Sequence, residues 1–136
     1  MQATAQTLYA IYALTYIAKA KSPIKAQEIS EKTGLPKRFL EITLLKLKAA
    51  NILESKKGRD GGFFLKRTVQ EITLYDIVSV TENSINIFDC TKHLKENCNF
   101  KSIFDTINNK LTETLKSITL EDIIKSNNIN ITDFVI

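Results

Sequence analysis

The chain has 136 residues, of which 43% are hydrophobic and 25% charged, and its net charge is +4. That composition excludes a disordered chain, because the apolar fraction suffices to offset the entropy of ordering. Two cysteines are too few for a disulfide scaffold, and the longest apolar stretch, residues 10–18 interrupted by Thr15, is far shorter than the ~20 residues of a membrane span. The start, Met1-Gln2-Ala3-Thr4-Ala5, has no basic segment or cleavage site, so the cytoplasm is the expected location.

Charge is unevenly placed. Residues 1–68 hold 13 Lys/Arg against 5 Asp/Glu, and residues 69–136 hold 6 against 10, so the halves carry +8 and −4. A basic half joined to an acidic half suits a chain whose one end meets a polyanion. A plain solvated basic face is the other reading. Three of the four glycines fall between positions 58 and 62.

Residues 3–20 are predicted to be a helix. Ala5, Leu8, Tyr9, Tyr12 and Tyr16 recur at three- and four-residue steps, with Ile11 and Ile17 alongside. Ser22-Pro23 ends it. Residues 26–33 form a short second helix with Ile29 inward, and Gly34 is its left-handed cap. Pro36 suits the first turn of a third helix, where its missing N–H would be unpaired anyway. That helix runs to about residue 50, with Phe39, Leu40, Thr43, Leu44 and Leu47 as its expected buried stripe. Helix, short Gly-containing turn, helix is the helix-turn-helix pattern. Ile52-Leu53-Glu54-Ser55-Lys56 and Phe63-Phe64-Leu65-Lys66 then read as strands. Between them Lys57-Gly58-Arg59-Asp60-Gly61-Gly62 supplies the positive φ values of a tight hairpin. Three helices and a basic hairpin make a winged helix-turn-helix.

Residues 72–81 form a further helix carrying Leu74, Ile77 and Val78. Residues 83–97 lack clean periodicity and read as a loop, with Cys90 and the lone histidine inside it and Cys98 at its end. A long amphipathic helix follows, its apolar stripe being Phe100, Phe104, Ile107, Leu111, Leu115 and Ile118. Such a stripe suits a partner helix, and a homodimer is expected; packing back on the same domain is the alternative. Thr119 with Asp122 resembles a capping box that starts a final turn and a half of helix. The expected fold is mainly α with a small β wing. Residues 1–80 form the winged helix-turn-helix DNA-binding domain, 81–98 a sensor-like loop, and 99–136 the dimerisation helix and C-terminal tail.

Several strings here resemble the Rrf-two family of bacterial winged-helix transcription regulators. They are Glu28-Ile29-Ser30, Phe39-Leu40-Glu41, Leu44 with Lys46-Leu47, the wing Gly58-Arg59-Asp60-Gly61-Gly62-Phe63, Glu71-Ile72-Thr73-Leu74-Tyr75-Asp76-Ile77-Val78, and Thr119-Leu120-Glu121-Asp122-Ile123. The resemblance covers about residues 3–125. It implies a dimer with crossed long C-terminal helices and DNA-binding wings. Where the family usually has Arg before the first wing glycine, this chain has Lys57, which reaches phosphate but lacks the bidentate fork.

Residues of the third helix and wing are the candidate DNA contacts. Lys37, Arg38 and Glu41 lie outside the expected core stripe; Arg38 suits guanine O6/N7 and Glu41 suits cytosine N4. A solvated Arg38–Glu41 pair is the bland alternative. Ile42 and Leu45 are expected to be buried against the first helix or the wing base, a thymine-methyl contact by Ile42 being the alternative. Lys25, Gln27, Lys46 and Lys56 are phosphate candidates, and Lys57 and Arg59 at the wing tip suit the minor groove or its backbone.

Cluster-binding members of the resembled family carry three loop cysteines, whereas this chain has Cys90 and Cys98 and an apolar residue near the third slot. Two thiolates leave an iron–sulfur cage short, although His93, Asp89 or Glu96, or a second chain, would extend the donor set. The expectation is no cofactor. An iron–sulfur cluster, a labile metal on Cys90, Cys98 and His93, and a thiol switch stay open. The expected function is a non-enzymatic, homodimeric, sequence-specific repressor acting on a palindromic operator in double-stranded DNA, with redox, metal or iron–sulfur control. The alternative is a winged-helix protein-interaction module that does not bind DNA.

Overall fold

The computed structural model describes residues 3–88 and 100–127. Its elements are α1 (Ala5–Lys19), α2 (Ala26–Thr33), α3 (Lys37–Ala49), β1 (Leu53–Lys56), β2 (Gly62–Leu65), α4 (Leu74–Thr81), α5 (Lys101–Ser117) and α6 (Leu120–Asn127). Small residues decide how α1 packs. Its buried face is Thr7, Ala10, Ala13, Leu14 and Ile17, whereas Leu8 and Tyr12 of the expected repeat are 52% and 57% exposed. The helix lies against α3, α4 and β2 together, and alanines permit that close approach where tyrosines would not.

The corner between α2 and α3 is built from local hydrogen bonds. Gly34 takes φ 77°, and its N–H caps the Ser30 carbonyl at 2.9 Å. The Ser30 hydroxyl donates to the Leu35 carbonyl at 2.7 Å. Pro36 stands just before α3, and its carbonyl accepts the Leu40 N–H at 3.0 Å. Leu40, Thr43, Leu44 and Leu47 are buried as expected, but Phe39 is 60% exposed. The buried stripe keeps the expected face and loses only Phe39, which stands at its edge. At the other end, Asn51 adopts φ 62°, with Asn51 N–H on the Lys48 carbonyl and Ile52 N–H on the Leu47 carbonyl, both at 3.0 Å. This is a Schellman ending with Asn in place of Gly, and it turns the chain into β1.

β1 and β2 pair antiparallel from Leu53↔Leu65 to Lys56↔Gly62. The hairpin is fastened to the start of α2 by an isolated bridge, Ile24↔Phe63. Ile24 N–H donates to the Phe63 carbonyl at 3.0 Å, and Phe63 N–H donates back at 2.7 Å.

The C-terminal elements join through two capping boxes set side by side. Thr73 with Asp76 opens α4, the two reciprocal bonds being 3.0 and 3.1 Å. Thr119 with Asp122 opens α6 in the same way, at 2.9 and 3.1 Å. Bonding to the Thr119 N–H, and then to its hydroxyl, holds the Asp122 carboxyl below its ordinary value. Thr73 and Thr119 themselves pair as an antiparallel bridge, with Leu74 N–H on the Ile118 carbonyl and Leu120 N–H on the Ile72 carbonyl, each at 2.8 Å. Leu120 is thereby delivered, fully buried, into the core formed by Leu14, Ile29, Leu40 and Ile77. α6 is thus longer than the expected turn and a half, and it belongs to the N-terminal core.

Glu82, at the end of α4, caps the start of α1. One carboxylate oxygen accepts the Thr4 N–H at 2.7 Å, the Thr4 hydroxyl at 3.0 Å and the Thr7 hydroxyl at 2.5 Å. The Thr7 hydroxyl above all, then the Thr4 N–H, holds the carboxyl below its ordinary value. A carboxylate lowered on folding adds stability above its unfolded pKa of about 4.3 and loses it as the pH falls through the lower folded value. Glu82→Ala is expected to cost about 1–2 kcal/mol at pH 7, in the range of a lost helix cap. In urea denaturation from pH 7 to pH 3, the gap between wild type and variant should close below about pH 4.

Candidate nucleic-acid interface

The outward side of α3 is set by its buried side. With Leu40, Leu44 and Leu47 enclosed, Arg38, Ile42 and Leu45 fall on the opposite face at i, i+4 and i+7. Ile42 and Leu45 are 43% and 59% exposed, which corrects the expectation that the first helix or the wing base covers them. Leu40, Thr43, Leu44 and Leu47 form the buried side of α3, and Ile42 and Leu45 are left outside it. Glu41 meets Lys37 at 3.9 Å rather than pairing with Arg38, and both side chains are about half exposed. Lys46 reaches the side-chain amide oxygen of Gln6 (Oε1) at 3.5 Å, and Lys48 donates to the Ser55 hydroxyl at 2.6 Å, tying α3 to the wing's first strand.

The wing presents Lys56, Lys57 and Arg59, all exposed. Its tip folds back with Gly61 N–H on the Gly58 carbonyl at 3.1 Å. Two glycines make this possible. A Cβ on Gly61 would lie 2.1 Å from the Lys56 carbonyl oxygen, and one on Gly62, whose φ is 140°, would lie 2.4 Å from the Ile24 carbonyl carbon. Arg59, Lys25 and Gln27 line one cleft between the wing tip and α2, and Glu28 and Glu31 share it. Gln27 donates to Glu31 at 3.1 Å, so part of its amide is already engaged. The candidate residues therefore fall into two groups. One is on α3 (Lys37, Arg38, Glu41, Lys46), and the other is around the wing tip (Lys25, Gln27, Lys56, Lys57, Arg59).

The apolar stripe of α5 divides in two. Leu115 is buried within its own protomer, next to Lys116, whose ammonium lies 4.7 Å from the centre of the Tyr75 ring on α4. Leu111 and Ile118 are half-buried. At the other end, Phe100, Ile103 and Ile107 are 56%, 61% and 38% exposed, and Phe104 stacks on Phe88 with centroids 4.2 Å apart. Ile103 is absent from the stripe read in the sequence, which steps four residues from Phe100 to Phe104, although Ile103 stands at i+3 from Phe100 and fits the same face.

Asn108 is a buried polar residue with no signal in the sequence. Its amide oxygen accepts the Ile87 and Phe88 N–H groups at 3.0 and 3.3 Å, and its NH2 donates to the Phe88 carbonyl at 2.9 Å. The chain is thus clamped to α5 where it enters the cysteine-bearing segment. Cys90, His93 and Cys98 themselves lie outside the described residues, as does the tail after residue 127. Among the described residues no three His, Cys, Asp or Glu side chains gather as metal ligands, and no helix is long and apolar enough to cross a membrane.

Comparison with known proteins places these features in a family context. Residues 3–126 match the profile of the Rrf2 family, described as an iron-dependent transcriptional regulator. The chain is similar to the protein aau3 of Rhizobium meliloti strain 1021, 32% identical over 93% of this chain and 86% of that one. Its fold superposes on CymR, the global cysteine regulator of B. subtilis, with a TM-score of 0.80 at 25% identity, covering 93% and 98% of the two chains. IscR of T. potens superposes with a TM-score of 0.75 at 28% identity, covering 94% and 89%.

Gly62 is the sharpest test of how the wing is held. Gly62→Ala combines a positive φ with a backbone clash, and is expected to cost at least about 2 kcal/mol in urea denaturation. Gly34→Ala, also at positive φ but with open space around a Cβ, is expected to cost about 1 kcal/mol.

Proposed function

Because this chain belongs to the Rrf2 family of transcriptional regulators, we propose that it acts in the cytoplasm as a homodimeric, sequence-specific DNA-binding repressor with no enzymatic activity of its own. The observation that carries the reading is the pairing of Ile24 with Phe63, which sets an exposed cationic wing tip beside the helix-turn-helix corner. α3 enters the major groove with Arg38 placed for guanine, and Lys37, Lys46 and Lys25 take phosphates. Lys57 and Arg59 take the minor groove or its backbone. Residues 1–80 bind DNA, residues 81–98 sense, and residues 99–136 dimerise, apart from the return of α6 to the core.

Two copies join through the N-terminal half of α5, where Phe100, Ile103 and Ile107 stand exposed. A twofold dimer matches a palindromic operator because each half-site meets one α3. Cys90 and Cys98 respond as thiols or as ligands of a labile metal with His93. Within one chain the donor set does not fit an all-thiolate iron–sulfur cluster, which needs four cysteines where the chain has two. Asn108 links the segment to the dimer helix, so a change near Cys90 bears on the spacing of the two DNA-binding heads.

Two measurements test this reading. Lys57→Ala and Arg59→Ala are each expected to lower the slope of log binding constant against log salt by about one. Unchanged slopes would remove the wing from the interface. Ile103→Lys with Ile107→Lys should give a monomer in sedimentation and weaken DNA binding at least about tenfold, since two half-sites are no longer gripped together. A double variant that still sediments as a dimer would place the interface elsewhere.

A further inference from the structure

The reading face of α3 has an unusual balance. Of its outward residues in the N-terminal two-thirds, Arg38 is free to hydrogen-bond a base, Glu41 is engaged by Lys37, and Ile42 and Leu45 have nothing to donate or accept. Single exposed aliphatic residues are ordinary on protein surfaces. Here two large ones lie in line with an arginine and are bordered by Lys37, Lys46 and Lys48. That border disfavours a dry protein interface and favours a polyanion. In a DNA major groove, the apolar group that the base edges offer is the thymine 5-methyl. From Arg38 to Leu45 the helix rises about 10 Å, which is about three base-pair steps.

We propose that Ile42 and Leu45 are specificity-determining residues that read thymine 5-methyl groups beside the base contacted by Arg38; this rests on the DNA-binding reading above. Phe39 is not part of the set, because it lines a separate cleft with Tyr9 of α1, Lys46 and the end of α4. The operator half-site then carries thymine within about three base pairs of the arginine contact. Discrimination there comes from excluding water between side chain and methyl, not from hydrogen bonds.

The test uses the full-length protein and a duplex selected by it from a random-sequence library. Each thymidine of that duplex is replaced in turn by deoxyuridine, which keeps all base pairing and removes only the methyl. Wild type should lose about fourfold in affinity at one or two thymines per half-site, the value of one buried methyl-sized group. Ile42→Ala and Leu45→Ala, whose side chains are exposed and whose melting temperatures should match wild type, should each bind thymine and uracil equally at one of those positions. A selected duplex that tolerates uracil everywhere would overturn the proposal while leaving DNA binding intact. Failure to select or bind any duplex would overturn the DNA-binding reading along with it. If Ile42→Ala and Leu45→Ala instead halve the sedimentation mass of the free protein, the face is a protein interface and the proposal falls.

Discussion

The wing's place beside the helix-turn-helix depends on two backbone hydrogen bonds between Ile24 and Phe63, and those bonds depend on Gly62. With a Cβ at position 62 only 2.4 Å from the Ile24 carbonyl carbon, the hairpin could not approach the residue that leads into α2. Neither bond involves a side chain that reads DNA. Their effect is to turn a two-stranded hairpin, which alone would be marginal in water, into a fixed arm. Lys57 and Arg59 are then presented at a set distance from α3, not scattered by a mobile loop.

A second backbone device organises the other half. The bridge between Thr73 and Thr119 lets two helices start from adjacent points, each closed by its own Thr–Asp capping box. α6 enters the N-terminal core through Leu120, while α5 is held against α4. The start of α5 is left projecting with Phe100, Ile103 and Ile107 uncovered. A winged helix-turn-helix and an exposed apolar face thus come from one continuous core, and a shift of α5 would be felt at α4 and from there at α1.

Much of this was legible in the sequence where the signal is local. The Gly34 cap, the Gly-rich wing and the Thr119–Asp122 box all act within a few residues, and each formed where its residues stand. The same pattern at Thr73–Asp76 was equally available and shortens α4 to a start at Leu74. Helix facing was harder. α3 is apolar on two sides, so spacing found the core residues Leu44 and Leu47 but could not show that Phe39, Ile42 and Leu45 stay uncovered. In α1 the larger aromatics suggested the wrong inward face, because close three-way packing selects for small volume. Glu82 and Asn108 were invisible, since their partners lie 75–78 and 20–21 residues away. Polar side chains buried by tertiary contact leave no periodic trace.

In the proposed function, two copies of this chain grip one duplex through α3 and the wing. Native mass spectrometry of the full-length protein on a duplex selected from random sequence measures this directly. The expected result is a complex of two chains per duplex with almost no one-chain species, dissociating as salt is raised. A one-chain complex, or a dimer that fails to bind any duplex at low salt, would contradict it.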